Sequence, residues 1–569
     1  MHSDIGSRVG MTSGELWPHQ AEAVEAVTKA IGRGGRTSLI AACGTGKTRI
    51  GRAAAARLGT VRRVLVVLPT IELLVQTLRA YRDAGDGTLG TVAAICSDPS
   101  VAELELLHGE PGILVTTTPS VLADSVRADD CVTALSTYAS LPVIAEAHSR
   151  HGLADWDLAV IDEAHRTTGR ADGPWKTVHR DEHVPARRRL YMTATPRISE
   201  RGGEAMVSMH DTTVFGEVSY RLPFSKAIDM GLLADYRVVV PVVTDEEVHR
   251  LAADETLAMS LGGAKLSPGT LAGQIAVLRT MKEFGVRRAI SYHHRVAEAK
   301  KWAQTLPAAA ALLPGGIDLW AGHVSGMQAP HLRRRIIERL ADPGGDTVVV
   351  SNARVLGEGV DVPAVDAVVF TRPRDSAVDT VQAVGRALRT GGRSDKVATI
   401  VVPLLLAAAE SPEAALEGSA WEPVWQVIRA LRDHDDRLED FLRLQRVQLG
   451  EGTLFEEGPR EAKLPPWLHV RGVDVPTEFA QAITIRALRA SSPSWDEYFG
   501  AARAYAYLHG HANAPGQWVS PGGLKVGQWI GEQRKARRDG RLSIARETAL
   551  ETIQIMWNTK DDGWSSALD

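Results

Sequence analysis

A chain of 569 residues is too long for one hydrophobic core, and 44% hydrophobic with 24% charged residues excludes extensive disorder. With 65 Lys+Arg against 69 Asp+Glu the net charge is −4, so a polyanionic partner must be met by locally gathered basic side chains, not by bulk charge. Three scattered cysteines, a start without an apolar core and a longest apolar stretch of only Ile400–Ala409 argue against a disulfide framework, a secretory signal and a membrane span; a soluble cytoplasmic protein is expected.

The first 220 or so residues alternate short apolar runs with amphipathic stretches. Strands are predicted at Ser38–Ala42, Val64–Leu68, Ile113–Thr116, Leu158–Ile161 and Leu190–Met192, with helical spacing between them, as in Glu72–Ala80. Strands that are apolar throughout and separated by helices predict a parallel sheet covered on both faces. A second set follows at Arg237–Val243, Arg288–Tyr292, Thr347–Ser351, Ala367–Phe370 and Ala398–Val402. The mixed segment Phe215–Asp235 places the boundary near residue 222, giving lobes at 15–222 and 223–403.

After Pro403 the strand signals stop. Trp421–Gln445 has helical spacing and is followed by a Gly/Glu-rich break, Gly450–Lys463, so 404–490 is read as a helical brace. Residues 491–569 hold Trp495, Trp518, Trp529, Trp557 and Trp564 and read as a small separate module. The expected fold class is α/β: two tandem parallel-sheet lobes, a helical linker and a small all-α C-terminal domain.

Ala41-Ala42-Cys43-Gly44-Thr45-Gly46-Lys47-Thr48 leaves a predicted strand and opens a helix. Glycines at Gly44 and Gly46 let backbone N–H groups, including that of Thr45, close around phosphates, and the helix N-terminus adds partial positive charge. In this pattern Lys47 reaches the β- and γ-phosphates and the Thr48 hydroxyl ligates Mg²⁺. Leu158–Ile161 runs into Asp162-Glu163-Ala164-His165, placing carboxylates at the C-terminal end of a buried strand, where such sheets bind ligands. Asp162 is placed to hold Mg²⁺, and Glu163 to orient and deprotonate an attacking water. A glycine-rich turn and a solvated helix cap are the plainer alternatives for each motif taken alone.

In this order the motifs resemble those of superfamily 2 helicases, within them the DEAH-bearing group related to type I and type III restriction motor subunits, over roughly residues 15–403. The resemblance implies two RecA-like lobes with ATP and Mg²⁺ between them. It implies that Gln20, in Trp17-Pro18-His19-Gln20, reads the adenine. Val67-Leu68-Pro69-Thr70 resembles motif Ia and Ser136-Thr137-Tyr138-Ala139-Ser140 motif Ib, which implicates Pro69, Thr70, Thr137 and Tyr138 in gripping a nucleic-acid strand. Thr193-Ala194-Thr195 resembles motif III and Ser291-Tyr292-His293-His294 motif IV. Asn352–Pro363 resembles motif V, which assigns Gly359 and Asp361 to the nucleotide and Arg354 to the strand.

Gln382-Ala383-Val384-Gly385-Arg386-Ala387-Leu388-Arg389 resembles motif VI. On a helix, residues three and four apart share a face, so Gln382, Arg386 and Arg389 are expected to point together at the ATP of the first lobe. Guanidinium groups placed there as arginine fingers are worth on the order of 10³–10⁵ in rate.

Ser494–Trp564 resembles the helicase-associated domain of bacterial proteins, through residues such as Trp495, Tyr498-Phe499, Gly527-Gln528-Trp529 and Gly540-Arg541-Leu542-Ser543. From Lys525 to Arg546 seven basic residues face two acidic ones (Glu532, Asp539), a local charge of +5. Lys525, Arg534 and Arg537 are candidates for phosphate contact beside aromatics such as Trp529. The alternative is a small helical core of tryptophans with a solvated basic face. The expected partner is nucleic acid, DNA favoured over RNA by the restriction-motor resemblance; an RNA helicase and an ATP-gated clamp remain alternatives. No nuclease pattern is seen, so cleavage would need a separate protein subunit, and no membrane partner is expected.

Overall fold

The computed structural model describes residues 15–83, 90–96, 113–170, 173–197, 206–244, 249–250, 267–353, 364–371, 377–406, 422–452, 467–472, 488–490 and 494–558. Among them, no helix is long and apolar enough to cross a membrane. Two compact units emerge: residues 1–236 with 281–401, and residues 237–280 with 402–569.

The first unit opens with a helix, Pro18–Ile31, and then builds a sheet from ten strands' worth of chain in which eight pair: β1 (Gly35–Ala41), β2 (Arg63–Leu68), β3 (Thr91–Ile95), β4 (Ile113–Thr116), β5 (Val132–Thr137), β6 (Leu158–Asp162), β8 (Arg188–Thr193) and β10 (Glu217–Leu222). The other two, β7 (Gly169–Arg170) and β9 (Met206–Val207), form a short antiparallel pair of their own. The eight run in the spatial order β10-β1-β8-β6-β2-β5-β3-β4, and every pairing is parallel. Helices Lys47–Arg57, Ile71–Asp83, Pro119–Ala128 and Leu141–His151 connect them. Burial of β2, β5, β6 and β8 along most of their length is what a parallel sheet covered by helices requires.

The same unit holds part of a second parallel sheet, β13 (Leu319–Val324), β14 (Thr347–Asn352), β12 (Arg288–Tyr292), β15 (Ala367–Phe370) and β16 (Val397–Val401), in that spatial order. Its helices are Val296–Ala311, Pro330–Ala341 and Ala377–Ala387.

In the second unit β11 (Asp235–Thr244) pairs in parallel with β17 (Leu404–Leu406) and β18 (Leu468–Arg471). Strand structure therefore continues past Pro403, contrary to the sequence expectation. Runs of three and four residues are too short to show a period of two. Helices Glu422–Arg432 and Asp436–Gly452 replace the single pattern read over 421–445.

Helix Asp436–Gly452 then packs tightly on Ser494–His509. A Cβ at Gly450 would stand 1.9 Å from Glu497 O, and one at Gly500 would stand 2.0 Å from Val447 O, so only glycine permits this approach. Helices Val526–Arg538 and Ile544–Thr552 complete a core of Trp495, Phe499, Tyr505, Trp529, Ile530 and Leu550, into which Val447 also packs.

Candidate functional site

Because the first sheet is parallel, the C-terminal ends of its strands lie along one edge, and the motifs fall there. Beyond β1 is the glycine loop, at the end of β8 Thr193, at the end of β6 Asp162, beyond β2 Pro69 and Thr70, and at the end of β5 Thr137. The spatial order of the strands puts the phosphate loop toward one side and the segments resembling motifs Ia and Ib toward the other, with the acidic strand end between.

Gly44 (φ 84°) and Gly46 (φ 87°) adopt left-handed conformations that side chains resist, which lets the loop curl before the helix begins. Helix Lys47–Arg57 has no acidic residue in its first turn and no side-chain cap, so its N-terminal N–H groups and dipole face the loop. The loop is braced from behind: His19 Nε2 lies 2.9 Å from Thr45 O, and Gln20 Nε2 donates to the same oxygen at 3.2 Å. Gln20 Oε1 accepts from Trp17 N at 3.1 Å. Gln20, expected to read the base, is thus buried, with the nitrogen of its amide holding the loop and the oxygen holding the start of its own helix.

Lys47 Nζ donates to Ala41 O at 3.3 Å. Burial pulls its pKa down, but the Cys43 sulfur, Glu163 and Asp162 outweigh this and raise it, so it remains a cation. Asp162 is only 6% exposed and accepts the Glu163 N–H at 3.0 Å. Glu163 is one of two non-glycine residues with positive φ (49°) among those described, a strained turn of the kind found where a side chain must be aimed. Its Oε2 is buried, and His165 Nδ1 stands 3.4 Å from it. Burial acts to raise the Glu163 carboxyl, yet His165 and Lys47 outweigh it and hold the pKa below the ordinary value. The same His165 nitrogen lies 3.0 Å from Thr193 Oγ1 and 3.3 Å from Thr195 Oγ1, joining the acidic strand end to the Thr-Ala-Thr segment.

The donor set fits a nucleotide with a hard divalent cation. A hydroxyl (Thr48) and a buried carboxylate (Asp162) suit Mg²⁺, and a cationic lysine beside a glycine loop suits phosphate. Among the described residues no group of three or more His, Cys, Asp or Glu forms a metal cage, so phosphate oxygens and water would complete the cation's shell.

The arginines of 382–389 reach this loop within the first unit. A Cβ at Gly44 would lie 3.6 Å from Arg389 Cγ and 3.9 Å from its Nε. A Cβ at Gly385 would lie 2.7 Å from that of Cys43, so the helix carrying Arg386 rests directly on the loop. Arg386 is 8% exposed, and both arginines act electrostatically on Cys43, whose thiol burial pushes up. One expectation is corrected: helix Ala377–Ala387 ends before Arg389, which lies in a short antiparallel bridge to Leu233, so Gln382 and Arg386 share a helix but Arg389 does not.

The residues expected to touch nucleic acid fare unevenly. Thr70 Oγ1 accepts Leu73 N at 3.3 Å and so begins helix Ile71–Asp83, with Pro69 half-buried beside it. Thr137 is buried, its hydroxyl 3.0 Å from Ser140 Oγ. Tyr138 is 1% exposed, stacks on Trp175 and donates its hydroxyl to Asp162 O at 2.7 Å; its side chain belongs to the core and cannot lie on a strand. Arg354, Gly359 and Asp361 lie outside the described residues.

In the C-terminal module Lys525 is exposed, as expected for a phosphate contact. Arg534 is not: Nε donates to Met556 O at 2.8 Å and Nη2 to Asn513 Oδ1 at 2.7 Å. Arg537 pairs with Glu547 at 2.6 Å and covers the Trp557 ring at 4.4 Å. Trp495 and Trp529 are core, with Trp518 and Trp557 partly buried against it; Trp564 lies outside the described residues.

Residues 13–198 match the family model of the type III restriction enzyme res subunit, 279–391 the helicase conserved C-terminal domain, and 492–558 the helicase associated domain. A probable helicase of African swine fever virus, A859L, is 25% identical over 392 residues, covering 68% of this chain and 40% of its own length. The endonuclease subunit of the Escherichia coli K12 type I restriction enzyme EcoKI is 28% identical over 257 residues, 41% of this chain and 19% of that one. The chain thus spans about 40% or less of the length of these relatives. Among solved structures, the ATP-dependent type ISP restriction-modification enzyme LlaBIII bound to DNA superposes with a TM-score of 0.70 at 25% identity, over 95% of this chain and 39% of that one.

Proposed function

We propose, for a chain that belongs to the superfamily 2 restriction-motor-like helicases with a C-terminal helicase-associated domain, that it hydrolyses ATP to move on DNA. The observation that supports this reading most directly is the placement of Arg389 against Gly44 of the phosphate loop. Two sequence segments more than 300 residues apart thereby furnish one anionic-ligand site.

In this reading the loop N–H groups and Lys47 hold the β- and γ-phosphates. Mg²⁺, bound with the nucleotide through Thr48 and Asp162, supplies neutralisation of phosphate charge. Glu163, kept ionised by His165 and Lys47, accepts a hydrogen bond from water and aims its oxygen at the γ-phosphorus. The new P–O bond forms as the bond from the γ-phosphorus to the β–γ bridging oxygen breaks, a proton of the water passes to Glu163, and ADP and inorganic phosphate leave. Arg386 and Arg389 neutralise the charge on the transferring group, and Gln382 lies on the helix that carries Arg386. His165, shared between Glu163 and the Thr193 and Thr195 hydroxyls, reports the state of the carboxylate to the strand-facing side of the sheet.

On this reading 15–222 is the nucleotide-binding lobe, 223–403 the lobe that brings the arginines, 404–490 a brace and 491–569 the associated module. Pro69, Thr70, Thr137 through its backbone, and Lys525 grip the sugar-phosphate track, with Gly359, Asp361 and Arg354 completing the motor. DNA is favoured because LlaBIII, one of the similar solved structures, is bound to DNA. Grip on phosphates is salt-sensitive and nearly blind to sequence.

The test is ATP turnover by the full chain with duplex DNA, single-stranded DNA, RNA or no polymer, against a Lys47→Ala control. Stimulation by DNA above RNA, abolished in the control, is expected. Turnover indifferent to every polymer would sink the motor reading, and equal or greater stimulation by RNA would reassign the track.

A further inference from the structure

Helix Ala377–Ala387 ends with carbonyls that its own backbone cannot satisfy. The three carbonyls that follow in order are each taken. Lys396 Nζ donates to Ala387 O at 2.6 Å and to Arg389 O, while Ala234 N donates to Leu388 O at 2.7 Å. One ammonium therefore clasps both sides of the turn from which the Arg389 side chain departs toward Gly44.

Lys396 is only 7% exposed, an unusual position for a lysine and a costly one unless its hydrogen bonds are needed. The chain brings it there by doubling back through Gly391 (φ 59°) and Gly392 (φ 81°). That loop is itself anchored: Arg393 pairs with Asp366, whose other oxygen accepts the N–H groups of Arg287 and Arg288 at 3.1 and 3.0 Å. The position of Lys396 is thus fixed from below by the second sheet, and Lys396 in turn fixes the arginine turn.

We propose that Lys396 is the positioning residue for Arg389: by holding the carbonyls of residues 387 and 389 it sets the guanidinium at the phosphate loop. The inference rests on the reading that Arg389 acts on the transferring phosphate. The hydrogen bonds of Lys396 go to the turn, and it acts on Arg389 through them.

The surroundings of the ammonium also make the hold sensitive to pH. Burial drives its pKa down to about 8; Asp366 opposes this, and Arg393, Arg288 and Arg389 add to it. Loss of the proton weakens a charge-assisted clasp to that of a neutral amine, so turnover should decline as pH rises through about 8.

The experiment compares wild type, Lys396→Met, Lys396→Arg and Arg389→Ala in the full chain. It records kcat and KM for ATP with DNA present from pH 6.5 to 9.5, with nucleotide affinity and thermal unfolding as controls. A displaced catalytic group costs between about ten- and a hundredfold. The expected result is a kcat of Lys396→Met lowered by that factor at neutral pH, with KM for ATP within about twofold of wild type, as expected when only transition-state contacts are lost. Wild type should show the alkaline decline; Lys396→Arg, whose charge persists, should recover part of kcat and lack the decline. A folded Lys396→Met with wild-type kcat overturns the inference while leaving the motor reading intact, provided Arg389→Ala is inactive. If Arg389→Ala turns over normally, both fail together. Should Lys396→Met not fold, a wild-type kcat flat to pH 9.5 overturns the inference by itself.

Discussion

Arg386 and Arg389 in the first compact unit and Arg534, Arg537 and Arg446 in the second put the same side chain to opposite uses. In the first, Arg386 and Arg389 are brought against a loop whose glycines and helix N-terminus are shaped for an anion. In the second, the basic side chains that look best placed for phosphate are largely occupied. Arg534 ties helix Val526–Arg538 to Asn513 and Met556, Arg537 pairs with Glu547, and Arg446 is buried against Glu497 at 2.7 Å. An arginine bound to main-chain carbonyls and buried carboxylates is a brace; one set against a glycine loop at a helix N-terminus can serve an anion bound there. Local charge of +5 does not distinguish the two, because it counts side chains and not their partners.

The largest test of that contrast is removal of the loop-facing arginines. Arg389→Ala or Arg386→Ala should each reduce kcat by on the order of 10³ or more, with thermal stability little changed, read as steady-state ATP hydrolysis and a melting curve. A drop in stability with intact turnover would make them braces like Arg534, and the contrast would collapse.

Acid should separate the units next. His293 is buried in the first unit between Ser291 and Thr371, and burial lowers its pKa to about 4; His179, also in the first unit, falls to about 3. A histidine depressed in the folded state binds fewer protons than the unfolded chain between its two pKa values, so stability is complete above about 6.5 and is lost as pH falls toward 4. For His293 this is worth up to about 3 kcal/mol. Melting temperature measured from pH 7 to 4 should fall with a slope that His293→Gln flattens; an unchanged slope would show the ring to be solvated.

Which parts of this were legible beforehand follows from the physics of each region. Phosphate loops and acidic strand ends are local: the glycines at 44 and 46, the strand before and the helix after fix one another within a few residues. Strands buried on both faces, such as β2 and β6, announce themselves as continuous apolar runs. Those missed carry weaker signals. β10 (EVSYRL) and β13 (LWAGHV) are edge strands with mixed polarity, β3 (TVAAI) is alanine-rich, and β5 (VTALST) hides behind its hydroxyls. The contacts of Gln20, Tyr138 and Arg534 left no mark in the sequence for a common reason: their partners, Thr45, Asp162 and Met556, are 22 or more positions away and meet them only in the fold. Lys396 left no signal at all, since nothing about a lysine before a strand says that its ammonium will cap the turn seven residues earlier.

Within the C-terminal module the contrast can be sharpened with a matched pair. Arg534→Ala should cost about 1–3 kcal/mol of stability by stranding Met556 O and Asn513, without altering the salt dependence of DNA binding. Lys525→Ala should leave stability unchanged while reducing the slope of log K against log salt by about 1. If the two variants exchange phenotypes, Arg534 leaves its internal partners to meet phosphate.

The smallest effect concerns the residue whose surroundings most changed its meaning. Tyr138 follows β5 at the edge assigned to the nucleic-acid track, yet its hydroxyl ends on the main-chain oxygen of Asp162 and its ring on Trp175, over which Arg166 lies at 5.7 Å. It is therefore a strut between the segment resembling motif Ib and the carboxylate strand end, well placed to pass a displacement from one to the other. Tyr138→Phe keeps the ring stack and removes one hydrogen bond, so the stability cost should be about 1 kcal/mol. If the strut transmits, basal turnover should persist while the stimulation by DNA shrinks, measured as the ratio of kcat with and without duplex. A variant in which both rates fall in proportion would place Tyr138 with the braces, holding Asp162 for catalysis and carrying nothing from the track.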